Sequence, residues 1–152
     1  MDDTRSLFLN LSSEITGYSP LELETTGLVD LYHELIEEIL AARLADFYGF
    51  AKSVVDSSGA LEETGRVMAS SSVFWPVVSS LISLWYLGSW TQLSNEWYAQ
   101  TGLPIPGPAD AGRTHTPSSL AYIEQLSYRT ADAHPPAAKA TGFGTWGRQP
   151  VV

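Results

Sequence analysis

Leu28-Val29-Asp30-Leu31-Tyr32-His33-Glu34-Leu35-Ile36-Glu37-Glu38-Ile39 decides the fold class. Its apolar positions, Leu28, Leu31, Tyr32, Leu35, Ile36 and Ile39, recur at helical spacing and line one face. Upstream, Ser19-Pro20-Leu21-Glu22 places a cap residue, a proline at the first helical position and a glutamate at the third. That is a capping box, in which two side chains satisfy two orphan N–H groups. Before it, Leu7, Phe8, Leu11 and Ile15 predict a first helix that starts at Asp3 or Thr4 and ends at Gly17. Downstream, Leu40, Leu44, Phe47, Ala51, Val54 and Val55 continue an apolar stripe. Residues 20–55 exceed a usual globular helix, so a break is expected at residues 40–42. Asp56-Ser57-Ser58-Gly59 closes the run.

Residues 60–69 read as a shorter, weaker helix. Residues 73–87 are apolar nearly all round, which predicts a central helix buried on several sides, with Pro76 in its first turn and Trp75 and Trp85 inside. After Gly88 the pattern decays. Gly102-Leu103-Pro104-Ile105-Pro106-Gly107-Pro108 is a loop, and Ser118 or Ser119 caps a last short helix through Leu126. Beyond Thr130 the chain is expected to be extended. The fold class is therefore all-α: one small helical domain over residues 1–152, with a helical core at 1–90 and a long, irregular, loop-rich C-terminal arm at 91–152 carrying one short helix.

Composition narrows the function. A chain of 152 residues supports one domain with one core. Charged residues make up 16 %, against roughly 25 % in typical soluble domains. The surface is thus unusually neutral, either because another chain covers part of it or because it is rich in Ser, Thr and Gly. A net charge of -9 with only eight Lys and Arg argues against nucleic acid and against an anionic membrane surface. There is no cysteine, hence no disulfide and no Cys-ligated zinc or iron–sulfur cluster within the chain. No run reaches the ~18 apolar residues of a membrane span; residues 73–87 carry Pro76, Ser79, Ser80 and Ser83. The acidic start, Met1-Asp2-Asp3, does not read as an export signal, so the expectation is a cytoplasmic chain or one whose signal has been removed.

Few groups suit chemistry. Gly142, Gly144 and Gly147 spell G-x-G-x-x-G, but a dinucleotide site needs a preceding strand and a following helix, and turns are expected instead. Asp30, His33, Glu34 and Glu37 share part of a helical face, and the carboxylate-x-x-His spacing has the form of one half of a di-iron site. The other half, a second such motif, is missing. A standalone metal-binding protein on His33 and Glu37 is the alternative reading; the bland one is a solvated helix face. Asp132-Ala133-His134 lies in a Pro-flanked loop with no serine placed by a motif, and no G-x-S-x-G elbow occurs. Against this stands an aromatic set, Trp75, Trp85, Tyr86, Trp90, Trp97, Tyr98, Tyr122, Tyr128 and Trp146. Rigid aromatic side chains bury large areas at low entropic cost, which suits contact with a partner.

The order of several pieces resembles the small subunit of bacterial FAD-dependent sorbitol, fructose and glucose dehydrogenases. The family opens with Phe-x-x-Leu-Ser…Thr-Gly, here Phe8-Leu9-Asn10-Leu11-Ser12 to Thr16-Gly17. It carries an apolar helix ending Trp-Tyr-x-Gly, here Trp85-Tyr86-Leu87-Gly88. A Tyr-x-x-x-Asp segment follows, Tyr128 to Asp132, leading to Pro135-Pro136, and a Gly-rich close with Trp146 ends at Pro150. Two departures stand out: the twin-arginine signal common in the family is absent, and residues 92–117 form a longer link richer in Pro and Trp. The resemblance implies a non-catalytic chain, with no catalytic, cofactor or metal residues of its own. Its partner would be a large subunit of the glucose–methanol–choline type holding FAD and, in many members, an iron–sulfur cluster. A cytochrome c subunit often takes the electrons. Such a complex is periplasmic; a cytoplasmic chain is the alternative, and a helical adaptor for another protein is a further one. The residues expected to meet the partner are Trp90, Tyr128, Arg129, Pro135, Pro136, Phe143 and Trp146.

Overall fold

The computed structural model describes residues 3–59 and 61–133, and among these all regular structure is helical apart from one isolated bridge between Trp90 and His115. The all-α class is therefore as the sequence predicts. Helix α1 (Asp3–Thr16) turns Phe8 and Leu11 inward with no exposure. It stops at Gly17, whose φ of +78° is the left-handed conformation that closes a helix. Helix α2 (Pro20–Glu24) begins with the capping box in place. The Glu22 N–H donates to Ser19 Oγ at 3.3 Å and the Ser19 N–H to Glu22 Oε2 at 2.8 Å.

The first departure follows at once. Thr25 and Thr26 turn their hydroxyls back onto the carbonyls of Glu22 and Leu23, at 2.7 and 2.6 Å. Thr26 Oγ1 then accepts the Leu28 N–H at 3.1 Å. These bonds replace the helical ladder and end α2 a full turn before α3 (Val29–Leu40) begins. The second break lies where expected. Ala41 takes φ +42°, opening a 3-10 turn (Ala41–Arg43), and α4 (Leu44–Asp56) follows it. The Arg43 guanidinium pins this corner by donating from Nε and Nη2 to the Thr101 carbonyl at 2.9 and 2.7 Å.

Helix α4 packs most extensively against α1, and α5 (Leu61–Ser70) links it to α6 (Trp75–Leu87). Helix α6 buries Val77, Val78, Ser80, Leu81, Leu84 and Trp85. Trp75, expected inside, is 45 % exposed. It shares an outward stripe with Ser79 at i, i+4, so the helix is amphipathic at its start rather than buried all round. Trp85 is the hub of the core. Its indole N–H donates to Ser12 Oγ at 3.1 Å, and Tyr32 meets it edge-on at 4.7 Å and 78°. The Tyr32 hydroxyl donates in turn to the Leu84 carbonyl at 3.2 Å, and burial pushes its pKa well up.

The chain beyond residue 90 holds more structure than the sequence reading assigns. Helix α7 (Asn95–Thr101), capped by Ser94, puts Trp97 and Tyr98 into the core, and the Trp97 indole donates to the Val73 carbonyl at 2.6 Å. The single short helix expected near residue 120 is two, α8 (Ser119–Ile123) and α9 (Leu126–Thr130). Gln125 separates them in extended backbone, ψ 138°, with its amide donating to the Tyr122 carbonyl at 2.8 Å. Ala121 and Leu126 are fully buried, so the core extends through α9. The G-x-G-x-x-G glycines, His134, Pro135, Pro136, Phe143 and Trp146 lie outside the described residues.

Candidate interaction face

The segments singled out along the sequence converge in space. The indole of Trp85 bonds Ser12, and the phenol of Tyr86, one residue on, donates to the Thr16 carbonyl at 2.7 Å. The Tyr18 and Thr130 hydroxyls meet at 3.0 Å, which brings α9 beside the end of α1. Gly88, with φ +66°, lets α6 end directly beneath α8. A Cβ there would lie 2.8 Å from the Ala121 carbonyl carbon and 3.2 Å from Tyr122 Cα.

Around this junction apolar groups face outward. Leu87 is 60 % exposed, Leu120 41 % and Tyr122 50 %. Leu120 leans over Gly27, where a Cβ would sit 3.6 Å from its Cδ2. Leu21, 75 % exposed, stands on neighbouring α2. Single exposed apolar residues are ordinary, but several about one helix junction form a patch of the kind another chain covers.

Two of the predicted interface residues border this patch. Tyr128 is half-buried on α9 and shares a hydrogen bond with the Tyr122 phenol, which, with some burial, raises its pKa. Arg129 is exposed, with Nη2 3.5 Å from Glu124 Oε2. Its charge also reaches Glu22, whose carboxyl is held below its usual range mainly by the Ser19 hydroxyl and N–H. The patch thus has a polar rim of Glu22, Glu124 and Arg129. Trp90 is a correction: it has no exposure at all. Its backbone pairs with His115 at 2.8 and 3.2 Å, and its indole donates to the Gly112 carbonyl at 3.2 Å. The partners of Trp90 come from more than 20 residues later in the chain, which a local pattern does not reveal.

The polar cluster on α3 is divided rather than gathered. Asp30 accepts a hydrogen bond from Arg5, which lowers the Asp30 pKa, and Arg5 also bonds Glu24 at 2.8 Å. His33 is only 7 % exposed, between Phe8 at 5.5 Å and Tyr48 at 6.2 Å. It therefore does not belong to a solvated face. Its Nε2 is 3.5 Å from Glu37 Oε1, so the predicted pair is brought together. No third ligand joins it: among the described residues no group of three or more His, Cys, Asp or Glu is placed to hold a metal. No single described helix is long and apolar enough to cross a membrane. Comparison with protein-family models, with curated proteins and with solved structures returned no match.

Proposed function

We propose that this chain is a non-catalytic small subunit that stabilises an FAD-dependent sugar or polyol dehydrogenase. One observation carries the reading. The three described segments behind the resemblance, around Ser12 to Gly17, Trp85 to Gly88 and Tyr128 to Asp132, pack around one junction, and that junction carries the exposed Leu87, Leu120 and Tyr122. In this reading the patch meets the large, glucose–methanol–choline-type subunit. FAD and, where present, an iron–sulfur cluster belong to that subunit, and a cytochrome c subunit takes the electrons. The complex works in the periplasm. Apolar residues at the centre supply affinity, at about 25 cal/mol per Å² of apolar surface removed from water, while Arg129 and its two carboxylates set orientation.

The test is to ask whether the neighbouring gene encodes a flavin-binding oxidoreductase of this type and to co-express that protein with this chain. The catalytic subunit made alone is expected to be insoluble or to lack flavin, and to recover both with this chain. Leu87→Asp with Tyr122→Ala should abolish co-purification while the helical circular dichroism of this chain stays unchanged. Full yield, flavin content and activity of the catalytic subunit in the absence of this chain would overturn the proposal.

A further inference from the structure

Away from the α6–α8 junction, Gln92, Pro108, Arg113 and Thr114 line a shallow cup that is wide open to solvent, with Arg113 and Thr114 themselves exposed. Its walls are held in register. The Trp90–His115 bridge lies directly below Gln92 and Thr114, and the Trp90 indole fixes Gly112 beside Arg113. Gly112 in turn seats against Tyr98 and Pro106, where a Cβ would come within 3.1 to 3.3 Å of the Tyr98 hydroxyl and the Pro106 ring.

The hydrogen bonding of the cup is one-sided. The side-chain oxygens of Gln92 and Thr114 already accept bonds from the protein. Gln92 Oε1 takes Arg113 Nη1 at 3.1 Å, and Thr114 Oγ1 takes the Gln92 N–H at 2.9 Å. Arg113 Nε donates to the Gly107 carbonyl at 3.3 Å. The remaining groups are donors: the Nη2 amino group and the second Nη1 proton of Arg113, the Gln92 amide NH₂ and the Thr114 hydroxyl proton. The nearest acid in sequence, Asp110, directs Oδ2 to the Gly107 N–H at 2.6 Å. Arg5, Arg43, Lys52, Arg66 and Arg129 each have a carboxylate partner, whereas among the described residues Arg113 has none.

We infer that this cup binds the oxyanion of a small molecule, a carboxylate or a phosphate, with the Arg113 fork on its oxygens and Gln92 and Thr114 completing the shell. A planar guanidinium with several free N–H groups matches such an anion geometrically, and charge-assisted bonds are the stronger kind. The net charge of -9 repels any anion at long range, so the local contacts to Arg113 must outweigh it, and added salt screens the repulsion as well as the attraction. The site does not depend on the subunit reading, and it is assayed on this chain alone.

The test is titration of the isotope-labelled full chain at low salt, with inorganic phosphate in one arm and acetate in the other, followed by amide NMR shifts. Saturable shifts centred on Gln92, Arg113 and Thr114 are expected, weakened at least ~10-fold by Arg113→Gln, equivalent to about 1.4 kcal/mol, and unchanged by Arg66→Gln on α5. Saturation by phosphate alone assigns a phosphoryl group, and saturation by acetate alone a carboxylate. Absence of saturation in both arms, or shifts insensitive to Arg113→Gln, overturns the site. Gln92→Ala serves as a second variant should Arg113→Gln not fold, with the same weakening expected.

Discussion

Gly88→Ala is the perturbation that most directly questions how the interaction face is assembled. Gly88 and Gly102 form a matched pair. Both follow a helix in the left-handed region, with φ +66° and +75°, and both donate their N–H to the carbonyl four residues back at 2.9 Å. Alanine at either site meets the same backbone penalty, about 1–2 kcal/mol. They differ in surroundings. A Cβ at Gly102 meets nothing within 4 Å, whereas at Gly88 it runs into the main chain of Ala121 and Tyr122, at 2.8 and 3.2 Å. Backbone cannot swing aside as a long side chain does, so α8 must shift. Overpacking of this kind costs about 1–3 kcal/mol. Gly102→Ala should therefore lose about 1–2 kcal/mol and Gly88→Ala about 2–5 kcal/mol. Urea unfolding monitored by Trp fluorescence reads both, because Trp85, Trp90 and Trp97 are buried. Equal losses at the two positions would refute the claim that α6 and α8 meet through Gly88. The displaced α8 carries Leu120 and Tyr122, so co-purification with a partner should fall for Gly88→Ala and not for Gly102→Ala.

Two further outcomes follow from the core and the surface charges. Trp85→Phe leaves a cavity and an unbonded Ser12 hydroxyl, while Ser12→Ala strands a buried indole N–H, each costing about 1–3 kcal/mol. The double variant should lose about 1 kcal/mol less than the sum, and strict additivity in a denaturation cycle would exclude the 3.1 Å bond between them. Arg5→Ala should cost about 0.5–1 kcal/mol at neutral pH, a small value because Asp30 and Glu24 are largely exposed. Asp30 has a folded pKa depressed by Arg5, so its contribution is complete above the ordinary aspartate value of ~3.9 and fades as pH falls through the lower folded value. The stability gap between wild type and Arg5→Ala should hold from pH 7 to about 5 and close below about 4; a gap that persists in strong acid would remove the ion pair as its source.

Local signals were legible where the structure is made locally. The capping box needs only residues 19–22, and the corner after Leu40 was readable from the excessive length of the stripe. The stop after α2 was missed because it is written in two threonine hydroxyls, which a hydrophobic pattern passes over. Helix α7 spans seven residues, too few for a helical period to emerge, although Ser94, Glu96 and Gly102 mark its ends. His33 looked solvated because its neighbours Asp30, Glu34 and Glu37 are charged. Burial there is set by Phe8 of α1 and Tyr48 of α4, which widen the covered arc of α3 from two sides. Local reasoning places Trp90 outward for a related reason: what covers it, Gly112 to His115, is remote in sequence.

The aromatic content therefore argues differently than composition suggests. Among the described tryptophans, Trp85, Trp90 and Trp97 are spent on the core, and only Trp75 is substantially exposed. The run Trp85-Tyr86-Leu87-Gly88 shows how the residues divide. Trp85 and Tyr86 reach back to α1 through Ser12 and Thr16, and Gly88 makes room for α8. Three of the four positions are accounted for by internal architecture. Leu87 is not: it is 60 % exposed, beside the Gly88 contact with α8 that carries the exposed Leu120 and Tyr122. Its hydrophobic surface does nothing for the isolated fold, so replacing it should cost stability little, within about 0.5 kcal/mol. A partner laid over the junction would give that surface a use, and this is the burial the proposed subunit contact requires. Leu87→Asp thus separates the two roles within one tetrapeptide. A loss of fold stability comparable to that of Trp85→Phe would place Leu87 among the internal supports and take away the centre of the proposed interface.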